Sequence, residues 1–477
     1  MLIGLLRGCS HKFQSKKRYH TTQIHYPHFI LKRGTHALGG ILLALSLVIP
    51  VSAAGIAAQP TGTSAAVPGT IAYINQDNTE LRLVQPDGNN DRLLWAAPMV
   101  GGVQSGVRYP AWRPDGTEVA FVSDMEQAES LLQSDVFAIH PDGSSLRKVT
   151  DTPLHIKLGN FQVGTVKVQV ANVNSTASLF IVYVEGAQAA QTTTVPAGTS
   201  KTLTFQNVAI FPGESQFPVA INGLTRWFGQ PDTTTFQPGV TNTASITING
   251  SGYDDFGAFN ADWRSDSAEV DFNISQGCVA NGIAADPPAG AEWGNTLVPF
   301  SASMCPMDRG PTQALADQIL YWDYLGNFPN GAFMQATEGG AQPTMLFDTG
   351  YGNFVYGLKW LPDGSGFLYS FSDDSCYCSN IYKYSFSTQQ SAPLTRFTQY
   401  YTGKISVSPD GQKVIFERFD VDPNPSLNPD AVPDLWMMNL DGSGEGLFIQ
   451  NARDPSWGLE KSAPVFTNFL YLPVIDK

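Results

Sequence analysis

The chain has 477 residues, with 28 Lys/Arg against 42 Asp/Glu and a formal net charge of −14. That length holds two domains, or one repeat array with an insertion, and the acidic excess excludes a phosphate backbone as a natural partner. Helical periodicity is almost absent, Gly, Pro, Ser, Thr and Asn are abundant, and apolar residues alternate in short runs, so the fold class is all-β.

Residues 1–53 carry seven basic residues (Arg7, Lys12, Lys16, Lys17, Arg18, Lys32, Arg33) and no acidic ones. An apolar run over 37–51 and the small residues Ser52, Ala53 and Ala54 follow, which is the pattern of an export signal. The run is short for a membrane span, so the expectation is an exported chain, periplasmic, cell-surface or extracellular, with no transmembrane helix once mature; an uncleaved anchor is the alternative. Without the leader the balance is 21 basic to 42 acidic residues, a net charge of −21. Only His140 and His155 of the seven His then remain, and Cys278, Cys305, Cys376 and Cys378 of the five Cys. Four Cys in an exported chain point to disulfides, with Cys278–Cys305 the favoured pair. Cys376 and Cys378 leave a small ring, two thiols and intermolecular bonds open. A CxC metal site has no second Cys/His cluster behind it. Residues 54–68 read as a flexible spacer.

The array proper starts at 69. Residues 111–124 read A-W-R-P-D-G-T-E-V-A-F-V-S-D, a strand, a Pro-Asp-Gly turn and a second strand. Pro presets φ, Asp caps the turn through its side chain and Gly takes the positive φ. The unit returns at 357–374 and 404–420, and in worn form at 259–272, where Trp263-Arg264-Ser265-Asp266-Ser267 stands in for W-x-P-D-G. A second, outer turn recurs at Asp87-Gly88, Asp142-Gly143 and Asp441-Gly442. Two punctuated hairpins per repeat make four strands, the unit of a β-propeller. Complete blades are expected at about 107–150, 254–347, 352–398 and 402–450. The lone strand at 453–458 joins the N-terminal segment 69–95 in a fifth, closing blade, which removes exposed sheet edges. Five or six blades fit, a sixth being hidden in the irregular regions.

Two stretches interrupt the array. The Asp142 and Asp266 turns are 124 residues apart, so 154–250 is extra; its alternating strands without Pro-Asp-Gly predict an inserted small β-sandwich, immunoglobulin-like or transthyretin-like. Residues 275–312, with Cys278 and Cys305, read as a surface loop tied by its own disulfide. The propeller parts are therefore 69–153 and 251–460. The apolar tail 461–477 reads as one more strand of the closing blade or as a sorting tag.

The pattern W-x-P-D-G-[ST]-x-[IV]-A-[FY]-x-S-D, followed by D-[IV]-[FWY]-x-x-x-x-D-G-S, resembles the TolB-like propeller repeat. Residues 112–124 with 135–150 carry it almost position for position, 360–373 and 408–420 with 434–443 carry it well, and 263–272 poorly. The resemblance covers about 69–150 and 254–460. It implies a rigid ring that presents loops and a central funnel to an envelope or extracellular protein, or to a glycan; such repeats also occur in propellers attached to peptidases and in some sugar-active lyases.

Chemistry is scarce in the sequence. No G-x-S-x-G elbow occurs, His140 occupies a turn-flanking position and His155 begins the insertion, so neither is placed as a general base. Asp420, Asp422 and Asn424 open a run of oxygen ligands at alternate positions and form the candidate calcium site. The run lacks the Gly and Glu an EF-hand loop needs, Pro425 and Ala431 standing there instead, so a proline-stiffened acidic loop is the simpler reading. Asp124, Asp373 and Asp420 at strand ends read as turn caps before a carboxylate ring. Trp112, Trp263, Trp360 and Trp457 recur at one blade position and read as packing between blades before a sugar platform. The expected function is a non-enzymatic binding or scaffold protein without a cofactor. The alternative is an enzyme acting on glycans or peptides through a carboxylate pair, which the sequence does not select.

Overall fold

The structure, a computed structural model, describes residues 67–100, 103–126, 134–150, 162–210, 218–222, 225–228, 236–250, 257–274, 279–285, 295–297, 304–323, 330–340, 342–351, 353–373, 376–423, 428 and 431–461. The expected export signal, all of the spacer before 67 and the tail beyond 461 lie outside them, as does Cys278.

Six four-stranded antiparallel sheets form the array. From the innermost strand outward, blade 1 comprises Val107–Trp112, Val119–Ser123, Asp135–Ile139 and Arg147–Lys148. Blade 2 comprises Ala258–Trp263, Glu269–Ile274, Val279–Ala284 and Asn295–Thr296. Blade 3 comprises Met307–Arg309, Gln318–Asp323, Asn330–Thr337 and Thr344–Tyr351. Blade 4 comprises Val355–Trp360, Gly366–Asp373, Cys378–Ser385 and Gln390–Pro393. Blade 5 comprises Tyr401–Val407, Lys413–Phe419, Asp434–Asn439 and Gly446–Ile449. Blade 6 takes its innermost strand from the C-terminal side, Ala452–Gly458, and the rest from the N-terminal side, Thr70–Asn75, Glu80–Val84 and Arg92–Ala96. The pairing of Ile71 with Trp457 and Thr70 with Gly458 closes the ring as the sequence predicts. The six innermost strands touch one another in an unbroken cycle.

The second strand of each blade is covered by neighbouring blades on both faces. This is why V-A-F-V, I-A-Y-I and F-L-Y read as continuous apolar runs, and why Val119–Ser123 is buried throughout. Turn chemistry is as expected. Backbone N–H groups of Thr117, Ser365 and Gln412 donate to the Asp115, Asp363 and Asp410 carboxylates two residues earlier. Gly116 stands at φ 76°, and a Cβ there would meet the Leu459 carbonyl oxygen at 2.4 Å, so Gly also lets the C-terminal segment lie against blade 1. In the worn copy Ser267 takes the left-handed position at φ 62°.

Two expectations are corrected. The span expected as one blade, 254–347, divides between blades 2 and 3, so the ring has six blades. Residues 275–312 are not a surface loop: they hold the outer strands of blade 2 and the innermost strand of blade 3. That strand lacks both signals of the repeat. Arg309 occupies the Trp position, and a 3-10 turn over Gln313–Leu315 replaces Pro-Asp-Gly. Cys305 is disulfide-bonded, and Cys376 is bonded to Cys378.

Between blades 1 and 2 lie two further sheets. One orders Thr199–Ile210, Gln162–Asn172 and Thr241–Ile248; the other orders Gln191–Val195, Ser178–Val184, Pro218–Asn222 and Thr225–Phe228. Alternate residues Val166, Val168 and Val170 meet Phe180, Val182 and Trp227 in one core, with Phe180 and Trp227 edge to face at 5.6 Å. Period-two burial along Gln162–Asn172 explains why this insertion alternates where the blades do not.

Candidate functional site: the central channel

The innermost strands share one design. The four Trp are seams between blades, as the repeat implies. Trp263 Nε1 donates to the Ala111 carbonyl of blade 1 (3.1 Å), and Trp360 Nε1 to the Asp308 carbonyl of blade 3 (3.3 Å). The backbone N–H of Trp360, Trp457 and Trp112 donates to Asp308 Oδ2 (2.5 Å), Ser406 Oγ (2.9 Å) and Ser456 Oγ (3.1 Å), each on the preceding blade. The residue before the Trp position is therefore a latch in three blades.

In blades 2, 3 and 4 that position carries Asp262, Asp308 and Lys359. Lys359 Nζ lies 2.5 Å from Asp308 Oδ1 and 3.3 Å from Asp262 Oδ2, spanning three blades. Its side chain keeps 32% exposure on an innermost strand, so the solvent it meets is that of the channel. Burial opposes the Lys359 charge, but Asp262 and Asp308 overcome it and raise its pKa. Burial, reinforced by Asp262 and offset by Lys359, pushes Asp308 well above the usual carboxylate range. Against the same burial, Lys359 and a hydrogen bond with Asp308 hold Asp262 below it.

A second cluster lies two and three residues earlier in the strands, at a bulge. Register shifts occur there in blades 1, 2, 4, 5 and 6. Tyr109, Asn260 and Asp454 stand at φ 57°, 50° and 51°, left-handed positions that cost a non-Gly residue on the order of 1 kcal/mol or more. Asp454 is buried and accepts from Arg108 Nε and from the Tyr109 backbone N–H, with Lys404 Nζ at 3.2 Å. Glu417, on the second strand of blade 5, accepts from the backbone N–H of Asp454 (2.7 Å) and Lys404 (2.9 Å). Burial would raise the Asp454 carboxyl, but Arg108 and then Lys404 outweigh it and hold it well below the usual range. Arg453 adds a third cation; its Nη2 donates to the Ala431 carbonyl, while Nε is buried with no hydrogen-bond partner. Arg108, Lys404 and Arg453 thus face Asp454 and Glu417 at this level, with Asp422 nearby at Tyr356.

Aromatic rings accompany the cations. Lys404 Nζ and the Arg108 guanidinium lie 3.7 and 4.8 Å from the Tyr109 ring centroid, within cation–π range, and Phe259 lies 6.2 Å from it. Tyr356 is the second residue of the innermost strand of blade 4 and Tyr401 the first of that of blade 5. Tyr356 Oη donates to Asp422 (3.4 Å); burial and then the Asp422 charge raise its pKa. In each blade the hairpin between second and third strands emerges at this same end, because the strands alternate in direction.

The calcium candidates meet different neighbours. Asp420 is exposed and lines a cavity of about 220 Å³ with Arg418, Asp434 and Asn451, Asp422 takes the Tyr356 hydroxyl, and Asn424 lies outside the described residues. Among the described residues, no group of three or more His, Cys, Asp or Glu is gathered as a metal set. Asp124 is buried and caps the Gly106 N–H at 2.5 Å; burial raises its pKa to about 6, the Gly106 bond pulling the other way. The channel residues were missed in the sequence because none belongs to the turn motif. Their one signal is position: apart from Tyr401, Glu417 and Asp422, each lies one, three or four residues before the Trp position.

The class this fold defines is the β-propeller, six-bladed and closed by pairing of its first and last strands. No protein-family model matches the chain, and no curated protein matches it. Among solved structures it is similar to TolB from Acinetobacter baumannii, at 16% identity over 84% of this chain and 69% of that one, TM-score 0.37. It is similar to a chain of a nidogen/laminin complex at 8% over 82% and 99%, TM-score 0.45. It is also similar to oligogalacturonate lyase from Vibrio parahaemolyticus at 10% over 80% and 86%, TM-score 0.34. These likenesses include enzymes and non-enzymes. Among the described residues no helix is long and apolar enough to cross a membrane.

Proposed function

We propose that this is an exported, non-enzymatic binding or scaffold protein that holds an envelope or extracellular protein at the bulge end of its channel. The observation that carries the reading is the concentration of Tyr109, Tyr356, Tyr401, Arg108 and Lys404 at one channel end. Tyr and Arg are the residue types that dominate protein-binding hot spots. The charges there are locked: Asp454 is held well below neutrality, whereas a general acid or base works best near it. The cations Arg108 and Lys404 suit an acidic or carboxylate-bearing segment of the partner.

The second reading, a carboxylate-dependent enzyme on glycans or peptides, is favoured by one observation, the opposite pKa shifts of Asp262 and Asp308. Against it, the two hydrogen-bond to each other and share Lys359, whereas glycosidase carboxylates stand about 5 Å or more apart with substrate between them. Cross-linking of the purified chain to native envelope extract tests both. A specific protein lost with Lys404→Ala supports binding at the channel. Turnover of a glycan or peptide, lost with Asp308→Asn, replaces that reading with the enzymatic one.

A further inference from the structure

The hairpin between the second and third strands of blade 4 carries a disulfide closed around a single residue, Cys376–Tyr377–Cys378. A cross-link this local restricts the unfolded chain least of any disulfide, so stabilisation is a poor account of it. Tyr377 stands at φ 49° with 83% of its surface exposed, a strained conformation for an aromatic residue. The two sulfurs are not equivalent. Cys376 is half-buried, whereas Cys378 is 1% exposed, and its Sγ lies 3.7 Å from Asn380 Nδ2 and 3.1 Å from the Phe397 carbonyl oxygen. The amide orientation is forced. Asn380 Oδ1 accepts from the Phe397 N–H (2.6 Å) and the Thr395 hydroxyl (2.9 Å), which leaves the donating Nδ2 on the sulfur side.

We propose that Cys376–Cys378 is a thiol–disulfide exchange site, with Cys376 the attacked sulfur and Cys378 the leaving one. A thiolate from a small thiol or from a cysteine of an exported protein attacks Cys376 Sγ. The new S–S bond forms there, the Cys376–Cys378 bond breaks, and its electron pair leaves on Cys378. Asn380 Nδ2–H donates to the departing thiolate, and a better-stabilised leaving thiolate departs faster. After taking a proton from solvent, the Cys378 thiol donates to the Phe397 carbonyl. A second thiol on the mixed disulfide completes the two-electron reduction, the two attacking thiols being oxidised to their own disulfide. Release of the ring frees Tyr377, which sits in a hairpin that emerges at the bulge end of the channel, so exchange alters the rim that the proposed partner would meet.

The test uses the full oxidised chain, titrated with reduced glutathione without air, quenched by alkylation and mapped by peptide mass. Expected are a glutathione adduct on Cys376 and an alkylated Cys378, at glutathione concentrations at least tenfold below those that make Cys305 alkylatable. Asn380→Asp keeps both accepting contacts but sets a carboxylate beside the sulfur. It also replaces the hydrogen bond from Asn380 Nδ2 to the Phe397 carbonyl (3.1 Å) with two facing oxygens, so it should slow the adduct at least fivefold and also lower the thermal midpoint of the oxidised chain. Replacing glutathione with a dithiol protein reductase separates the sources, a faster reaction assigning the site to a protein thiol and a slower one to a small thiol. Equal adducts on both sulfurs, a pair as resistant as Cys305, or an unaffected Asn380→Asp variant would each overturn the proposal.

Discussion

Lys404 places its ammonium 3.7 Å from the centre of the Tyr109 ring, reaching from blade 5 past blade 6 to blade 1. The same ammonium lies 3.2 Å from Asp454 of blade 6, so one side chain ties three blades at the bulge end of the channel. Tyr109 holds its place in a left-handed conformation, as Asn260 and Asp454 do at their bulges, so the fold sets its backbone whether its ring binds or packs.

Tyr109→Gly separates the two roles. Gly adopts φ 57° without strain, and relief of about 1 kcal/mol offsets the lost ring contacts, so the denaturation midpoint should stay near wild type. Binding of the cross-linked partner should fall at least tenfold, measured by titration calorimetry.

Trp360→Phe keeps an aromatic seam but leaves the buried Asp308 carbonyl without its donor, at about 1–2 kcal/mol. Trp360→Ala removes the seam and should cost about 3–5 kcal/mol. Urea unfolding with an unchanged m-value distinguishes this graded loss from collapse of the ring.

Asp454 has a depressed pKa in the fold. Its contribution is present above the unfolded carboxylate value and lost as pH falls through the folded one. Asp454→Asn strands Arg108 and Lys404 and should cost about 3–5 kcal/mol at pH 7. The deficit should shrink as pH falls below about 4, in thermal melts across pH 2 to 8.

Asp124 has the opposite sign. Its pKa is raised to about 6, so its contribution is complete below the unfolded value and lost as pH rises through about 6. Asp124→Asn, which can still accept from the Gly106 N–H, should match wild type below pH 4. It should be more stable at pH 7 to 8, by at most about 3 kcal/mol for such a shift. A variant less stable at pH 8 would assign Asp124 a role that needs its charge.

The hairpins and the closure of the ring were legible in the sequence because they are local or terminal. Pro114-Asp115-Gly116 makes its turn from its own three residues, and the incomplete segments at 70–96 and 452–458 each lack what the other supplies. Blade 3 was not legible, because Arg309 stands where Trp would be. There Asp271, Glu269 and Glu338 bind the guanidinium, a network that only the packed blades bring together. The channel site lay further out of reach still. Arg108 and Asp454 are 346 residues apart, and neither belongs to a motif. By itself the sequence determined the blade, since turn chemistry and apolar runs act over a few residues. Only the tertiary structure decided the number of blades and the tyrosine-rich end of the channel, because both depend on which side chains six distant strands bring to one axis.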